Sequence, residues 1–266
     1  MVKKSVKNKN IGKKGVKKKK RNSGLVGFVN SNFKLTRNYL RETLYYVLFV
    51  FVLFLIIGVF AFFYPFLFQE QILKIIKNLI EQTAGLSPIG LTGFIMYNNI
   101  KTAFFAVLFG VMLGIIPLSI TVVNGYVLGF VANQAALVEC DFVSPFCLAG
   151  VSVLWKLLPH GIFEIPAIII SIALGVRLGI SLVANCIVFY NRKIGKFSLG
   201  FLIILSMIFF FIAFPIVFIM TLVNEGLRKR FLENFGNSLR VFILVVIPLL
   251  VIAGLIEGFL IWSLTV

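Results

Sequence analysis

The stretch LYYVLFVFVLFLIIGVFAFFYPFLF, residues 44–68, decides the fold class of this chain. It contains 25 residues and no charged side chain. At about 1.5 Å per residue, a helix of this length exceeds the roughly 30 Å hydrocarbon core of a bilayer. The basic stretch that precedes it is much longer than the start of a cleaved signal peptide. We therefore predict a retained and tilted first membrane span.

The rest of the chain is also strongly apolar. Hydrophobic residues make up 60% and charged residues 13% of the chain, whereas soluble domains have about 45–50% and about 25%. Further apolar segments cover residues 102–120, 121–138, 145–158, 162–190, 198–223 and 241–263. Together they predict an all-α, polytopic transmembrane helical bundle with six or seven spans. Residues 145–158 are short for a span and form either a crossing or a re-entrant half-helix that ends at Pro159.

The net charge of +17 is concentrated at the N-terminus. Residues 1–41 carry 14 of the 26 Lys and Arg residues and no acid, which leaves +3 for residues 42–266. We predict a basic arm over residues 1–41, disordered over residues 1–24, and a transmembrane domain over residues 42–266. The positive-inside rule places the arm in the cytoplasm and the protein in the cell membrane. The charges do not decide between six and seven spans, nor do they fix the side of the C-terminus.

The arm also predicts a partner. Each base near an anionic bilayer surface contributes about 1 kcal/mol of attraction, which favours anionic lipid head groups. Nucleic acid or an acidic cytoplasmic protein is the less favoured alternative, because residues 1–24 contain no aromatic side chain.

Residues 69–99 form a polar insert after the first apolar run. Between Gln69 and Glu81, isoleucine and leucine recur at helical spacing among Gln, Lys, Asn and Glu. This pattern predicts an amphipathic helix in the membrane interface.

Glycines four residues apart occur in four apolar segments. The pairs are Gly110/Gly114, Gly125/Gly129, Gly175/Gly179 and Gly254/Gly258. Small residues at this spacing let helix backbones approach closely in lipid, so we predict packing within the bundle, with a homo-oligomer face as the alternative. Two pairs lie in similar strings, GVMLGI at residues 110–115 and GVRLGI at residues 175–180, and an internal structural repeat is a further hypothesis.

The densest polar constellation of the apolar body is KLLPHGIFEIP, residues 156–166. It holds His160, the single histidine of the chain, and Glu164. The two side chains share one face if a helix begins near Pro159, and Glu164 then lies in the first turn, where the helix dipole favours a carboxylate. Two interpretations remain: the pair satisfies itself and fixes a bend, or it handles a ligand, an ion or protons.

Arg177 lies in the middle of an apolar segment. A charge inside a bilayer is costly, so it should be paired or face a cavity. The candidate partners are Glu164, Glu139, Asp141 and Glu257, and we predict an interhelical ion pair with Glu257.

These positions define a predicted polar core. We expect His160, Glu164, Arg177 and Glu257 to converge in one protein interior, screened from lipid. We further predict that three amides form interhelical hydrogen bonds or line a pathway: Asn98, Asn99 and Asn124.

The sequence contains no recognisable catalytic or metal-binding set. One histidine and one carboxylate fall short of a zinc site, and Cys140, Cys147 and Cys186 lack paired ligand spacing. There is no Gly-x-Ser-x-Gly motif and no glycine-rich phosphate loop. We therefore predict no enzymatic activity, no metal and no cofactor.

The polar and glycine positions together resemble a known family. The most specific element is Pro159-His160-Gly161-x-x-Glu164-x-Pro166-Ala167. Further elements are Asn98-Asn99, Asn124-Gly125, the Gly110 and Gly175 strings, and Ile256-Glu257. Over residues 97–262 this pattern is similar to the stage II sporulation protein M family, with the basic arm and the polar insert before residue 97 outside it.

The resemblance implies a multi-pass membrane protein. In spore-forming bacteria the namesake works with a cell-wall hydrolase and another membrane protein during engulfment, as the scaffold that brings them together, and relatives also occur in prokaryotes that do not sporulate. We therefore expect a non-enzymatic scaffold or assembly subunit with other membrane proteins as partners. The alternative is a transporter or channel-like protein whose midplane site is built from His160, Glu164, Arg177 and Glu257.

Overall fold

The computed structural model describes residues 25–139, 149–194 and 210–265. These ranges contain helices and no strand, which confirms the all-α fold class for the described residues. The helices are α1 (Leu25–Phe63), α2 (Gln69–Thr83), α3 (Pro88–Leu108), α4 (Ile115–Glu139), α5 (Ala149–Ile194), α6 (Phe210–Val223), α7 (Glu225–Val241) and α8 (Ile247–Thr265). The predictions for residues 1–24, Cys140 and Cys147 lie outside the described residues.

Five stretches of helix among the described residues are long and apolar enough to cross a bilayer. They are Gly27–Phe63, Pro88–Val111, Ile115–Leu137, Gly161–Ile187 and Glu225–Leu260. The apolar helix Phe214–Val223 is shorter. The prediction of six or seven spans is therefore not confirmed.

Helix α5 runs without interruption through Pro159 and Pro166. The predicted half-helix ending at Pro159 is wrong, and Glu164 lies inside a helix instead of in its first turn. Proline removes one backbone hydrogen bond, but a helix at membrane depth tolerates this loss, because breaking the helix there would leave more polar backbone groups unsatisfied. At about 1.5 Å per residue, α5 is about 69 Å long and therefore exceeds the bilayer core.

A single run of helix joins α7 to α8. Between them, Phe242–Val246 adopts a π-helix. Pro248 lies two residues after the end of this π-helix and has no N–H to offer to the carbonyl of Leu244, which explains why the regular hydrogen-bond pattern changes at this point. The run combines the polar helix α7 with the apolar helix α8.

The predicted amphipathic helix is present as α2, Gln69–Thr83. Its residue Ile72 is buried against Ala61 of α1 and against Tyr126 and Phe130 of α4. The second half of the polar insert belongs to α3, which begins at Pro88.

The strings GVMLGI and GVRLGI pack directly against each other. A β-carbon on Gly110 would collide with the backbone of Gly175, and one on Gly179 would collide with the backbone of Gly114. Gly114 has φ +77° and follows Leu113 at φ +54°, so the chain makes a tight turn between α3 and α4 at this contact. The helices α3 and α5 therefore run side by side in the same direction.

The other two glycine pairs also lie at helix contacts within the chain. Gly125 and Gly129 lie against the carbonyl oxygens of Phe54 and Gly58, which makes α1 and α4 parallel. Gly254 and Gly258 lie against the side chains of Met96 and Thr92, which makes α8 antiparallel to α3. All four pairs therefore pack helices inside the bundle, as the intramolecular interpretation predicts.

Candidate functional site

The best-defined polar site joins Arg177 of α5 to one turn of α1. Arg177 Nη1 donates to the Tyr39 carbonyl oxygen at 2.9 Å and to Thr43 Oγ1 at 2.7 Å. Its Nη2 donates to Glu42 Oε2 at 2.6 Å. The guanidinium carbon lies 3.8 Å from the centre of the Tyr39 ring, within the range of a cation–π contact. The Arg177 side chain is only 14% exposed. The four contacts with α1 compensate for the removal of its charge from water.

The spacing on α1 explains how one arginine reaches all of these groups. Tyr39, Glu42 and Thr43 stand at positions i, i+3 and i+4, which lie on one face of a helix. Thr43 also donates its hydroxyl hydrogen to the Tyr39 carbonyl oxygen at 2.7 Å. This bond orients the Thr43 oxygen to accept from Arg177.

The site extends to α7 through Tyr39. The Tyr39 hydroxyl donates to the carbonyl oxygen of Asn234 at 3.2 Å and lies 3.1 Å from Ser238 Oγ. Asn234 Nδ2 in turn donates to Ser181 Oγ of α5 at 3.4 Å. We call these groups the Arg177 network, and its members are Tyr39, Glu42, Thr43, Arg177, Ser181, Asn234 and Ser238. The network fastens α1, α5 and α7 together.

The predicted ion pair between Arg177 and Glu257 is wrong, because the carboxylate partner of Arg177 is Glu42. Ser238 marks the level of the network on the α7–α8 run, and Glu257 lies about 28 Å further along that helix at 1.5 Å per residue. This separation is close to the thickness of the hydrocarbon core. Arg177 and Glu257 therefore lie toward opposite ends of the bundle and do not share one polar core.

A second polar position is a cleft between α1, α4 and α5, with a volume of about 320 Å³. Its polar lining residues are Asn124 of α4 and Glu164 of α5, and its walls include Phe54, Ile168 and Ile172. Asn124 Nδ2 donates to its own helix, to the carbonyl of Ile120 at 2.8 Å. Glu164 is half-buried. Of the predicted core, the structure thus places Glu164 beside Asn124 and apart from Arg177.

The remaining predicted residues are dispersed. Asn98 is exposed and Asn99 half-buried within α3, and neither side chain makes a hydrogen bond with the described residues. Glu257 is half-buried on α8. His160 lies on α5, but its side chain is outside the described part of the chain. Among the described residues, no three His, Cys, Asp or Glu side chains form a group that could hold a metal ion.

Besides the contacts of the Arg177 network, two hydrogen bonds between α4 and the end of α1 were not predicted from the sequence. Asn133 Nδ2 donates to the carbonyl of Phe62 at 2.9 Å, and the Tyr126 hydroxyl donates to the carbonyl of Tyr64 at 2.7 Å. Both bonds tie α4 to the end of α1. Asn133 stands eight residues after Gly125, on the α4 face that contacts α1. This spacing from the glycine pair could have predicted that Asn133 faces a neighbouring helix.

The chain is similar to a known protein family over most of its length. The family model described as Stage II sporulation protein M matches residues 47–260. The match begins within α1, so it includes part of the first span and the whole polar insert, whereas the motifs alone predict a start at residue 97. No curated protein and no solved structure was found to match the chain.

Proposed function

Because this chain belongs to the stage II sporulation protein M family, we propose that it is a non-enzymatic membrane scaffold that holds other membrane proteins in place. The observation that carries the proposal is the set of contacts that Arg177 makes with α1. Its guanidinium binds four groups of α1, and the Tyr39 hydroxyl continues the connection to α7, so the network joins three helices. A scaffold needs such a fixed frame, whereas a transport pathway needs charged groups that face a cavity.

The network also brings basic residues of distant segments to one end of the bundle. Tyr39 contacts Asn234 and Ser238, so the start of α1 and helix α7 lie at the same end. The bases on these two helices are Lys34, Arg37, Arg41, Arg228, Lys229, Arg230 and Arg240. By the positive-inside rule, this end of the bundle and the basic arm lie on the cytoplasmic side of the cell membrane. If each of the five candidate spans of the described residues crosses the bilayer, the end of α8 lies on the opposite side.

The scaffold proposal is tested by crosslinking the full-length chain in the membranes of its own cells and purifying it under denaturing conditions. We expect heteromeric adducts with one or a few membrane proteins in reproducible ratio. Adducts of random composition, which vary between preparations, would contradict the proposal. A tagged polytopic protein of similar abundance is the control.

The cleft between α1, α4 and α5 supports a second candidate, a transporter or channel-like protein. The supporting observation is that a carboxylate, Glu164, and an amide, Asn124, line one cleft among apolar walls. Phe54, which also lines it, lies near the middle of the apolar part of α1, and midplane sites of this kind occur in transporters.

This candidate is tested by ion and proton flux in proteoliposomes. A transporter loses coupled flux when Glu164→Gln removes the carboxylate charge, while Glu42→Gln, at the exposed edge of the Arg177 network, retains it. The absence of flux from the unaltered protein would exclude the pathway for the ions tested. The scaffold proposal predicts that the unaltered protein gives no flux.

A further inference from the structure

An apolar groove lies at the junction of α1 with α7 and the π-helix. It has a volume of about 510 Å³, within the range of about 300–1,000 Å³ that is typical of small-ligand sites. Phe28, Val29 and Phe33 form the α1 wall. Leu239, Ile243 and Leu244 form the opposite wall. Phe28, Phe33 and Ile243 are more than half exposed, so the described residues leave a large apolar surface uncovered here.

Among the described residues that line this groove, one is a cation, Arg240, and none is acidic. Arg240 Nη1 donates to Asn237 Oδ1 at 2.5 Å, which holds the guanidinium in place. The other N–H groups of Arg240 make no hydrogen bond with the described residues. A guanidinium has five N–H donors in a planar fork that suits phosphate oxygens.

We propose that this groove binds one anionic phospholipid, with an acyl chain between the two apolar walls and the phosphate at Arg240. The combination of an apolar wall and a single cation matches the two parts of such a lipid. The groove also lies at the end of the bundle where α1 and α7 carry their basic residues, which is the level of the head groups in the orientation proposed above.

Charge argues against the basic arm as the occupant. Residues 1–24 contain 11 Lys and Arg residues and no acid, so they would bring like charge to Arg240. The lipid site does not depend on the scaffold function, because a transporter with this fold would present the same groove.

The test uses the full-length chain in phosphatidylcholine nanodiscs that contain a trace of photoactivatable lipid. The probe carries a diazirine in its acyl chain and either a phosphatidylglycerol or a phosphatidylcholine head group. We expect the phosphatidylglycerol probe to label peptides that contain residues 28–33 and 239–244. Equal labelling by the two probes would overturn the proposal.

Variants at two positions, Arg240 and Gly236, separate the effect of charge from the effect of shape. Arg240→Gln should lower labelling by the phosphatidylglycerol probe about tenfold, the effect of losing one charge-assisted hydrogen bond, and Arg240→Lys should restore part of it. Gly236→Leu should remove labelling of the groove by both probes. Gly236 lines the groove, and a β-carbon there meets no atom within 4 Å, so the larger side chain enters open space.

Gly93→Leu is the matched control. Gly93 is also an exposed helical glycine with no atom within 4 Å of a built β-carbon, but it lies on α3 away from the groove. We expect unchanged labelling in this variant. Labelling that survives both Arg240→Gln and Gly236→Leu would overturn the proposal. So would crosslinks that place residues 1–24 or a second copy of the chain in the groove.

Discussion

Arg177 of α5 lies with its guanidinium carbon 3.8 Å from the centre of the Tyr39 ring in α1, and it donates a hydrogen bond to the backbone carbonyl of that same tyrosine. Tyr39 continues the connection to α7 through its hydroxyl. Two residues that are 138 positions apart thus join three helices. This relationship gives a structural reason for keeping a charge in an apolar segment.

Replacing Arg177 should destabilise the bundle. Arg177→Gln removes the charge and leaves the Tyr39 carbonyl and the Thr43 hydroxyl with fewer partners. We expect a loss of about 2–4 kcal/mol in unfolding free energy, measured by SDS titration in detergent micelles. Arg177→Lys should recover only part of this loss, because an ammonium group cannot bind two partners in the planar geometry of guanidinium. The exposed Arg37 serves as control, and equal stability of Arg177→Gln and Arg37→Gln would contradict the network.

The hydroxyl of Tyr39 should contribute separately from its ring. Tyr39→Phe keeps the ring beneath Arg177 but removes the contacts with Asn234 and Ser238. We expect a cost of about 1 kcal/mol and weaker attachment of α7. Hydrogen exchange of α7 amides measures this attachment, and protection equal to that of the unaltered protein would show that the hydroxyl does not hold α7.

Sequence reasoning identified Arg177 as a paired residue but assigned the wrong partner. The four candidate partners all lie after residue 102, and Glu42, which directly follows the basic arm, is not among them. The spacing of Tyr39, Glu42 and Thr43 shows that they share a helix face, but it does not show which helix packs on that face. That neighbour depends on how α1 and α5 cross, which no local pattern contains.

A double-mutant cycle can test the finding that Arg177 and Glu257 do not interact. A double-mutant cycle with Arg177→Gln and Glu257→Gln should give additive changes within about 0.5 kcal/mol, because the two groups lie toward opposite ends of the bundle. A cycle of Arg177→Gln with Tyr39→Leu should deviate from additivity by about 1 kcal/mol or more. Strong coupling in the Glu257 cycle would contradict the placement of these residues.

The contact between the two similar glycine strings predicts a steep response to a single methyl group. In Gly175→Ala the new β-carbon meets the carbonyl of Ala106, which belongs to a helix backbone that cannot move aside locally. We expect a loss of more than about 3 kcal/mol or a failure to accumulate in the membrane. Gly93→Ala, which meets no atom within 4 Å, is the control and should change stability by less than about 0.5 kcal/mol. Similar accumulation of the two variants would refute the close approach of α3 and α5.

The fold class followed from the sequence because runs of about 20 apolar residues have few alternatives to a membrane helix. The glycine pairs were predicted as packing positions because small residues let helix backbones approach closely in lipid. The helices that they pack against were not predicted. Helix boundaries were harder: Pro159 and Gly161 suggested a break, yet α5 continues through both. In water such residues often end a helix, whereas in lipid the unsatisfied backbone favours continuing it.

The scaffold account is tested most directly by comparing partner capture across three versions of the full chain. After crosslinking in native membranes, the unaltered protein and Glu164→Gln should capture the same membrane proteins in the same ratio to the bait. Arg177→Gln should capture less, in proportion to its smaller folded fraction. Capture of no membrane protein by the unaltered chain, together with an ion flux that Glu164→Gln abolishes, would contradict the scaffold account and support the transporter.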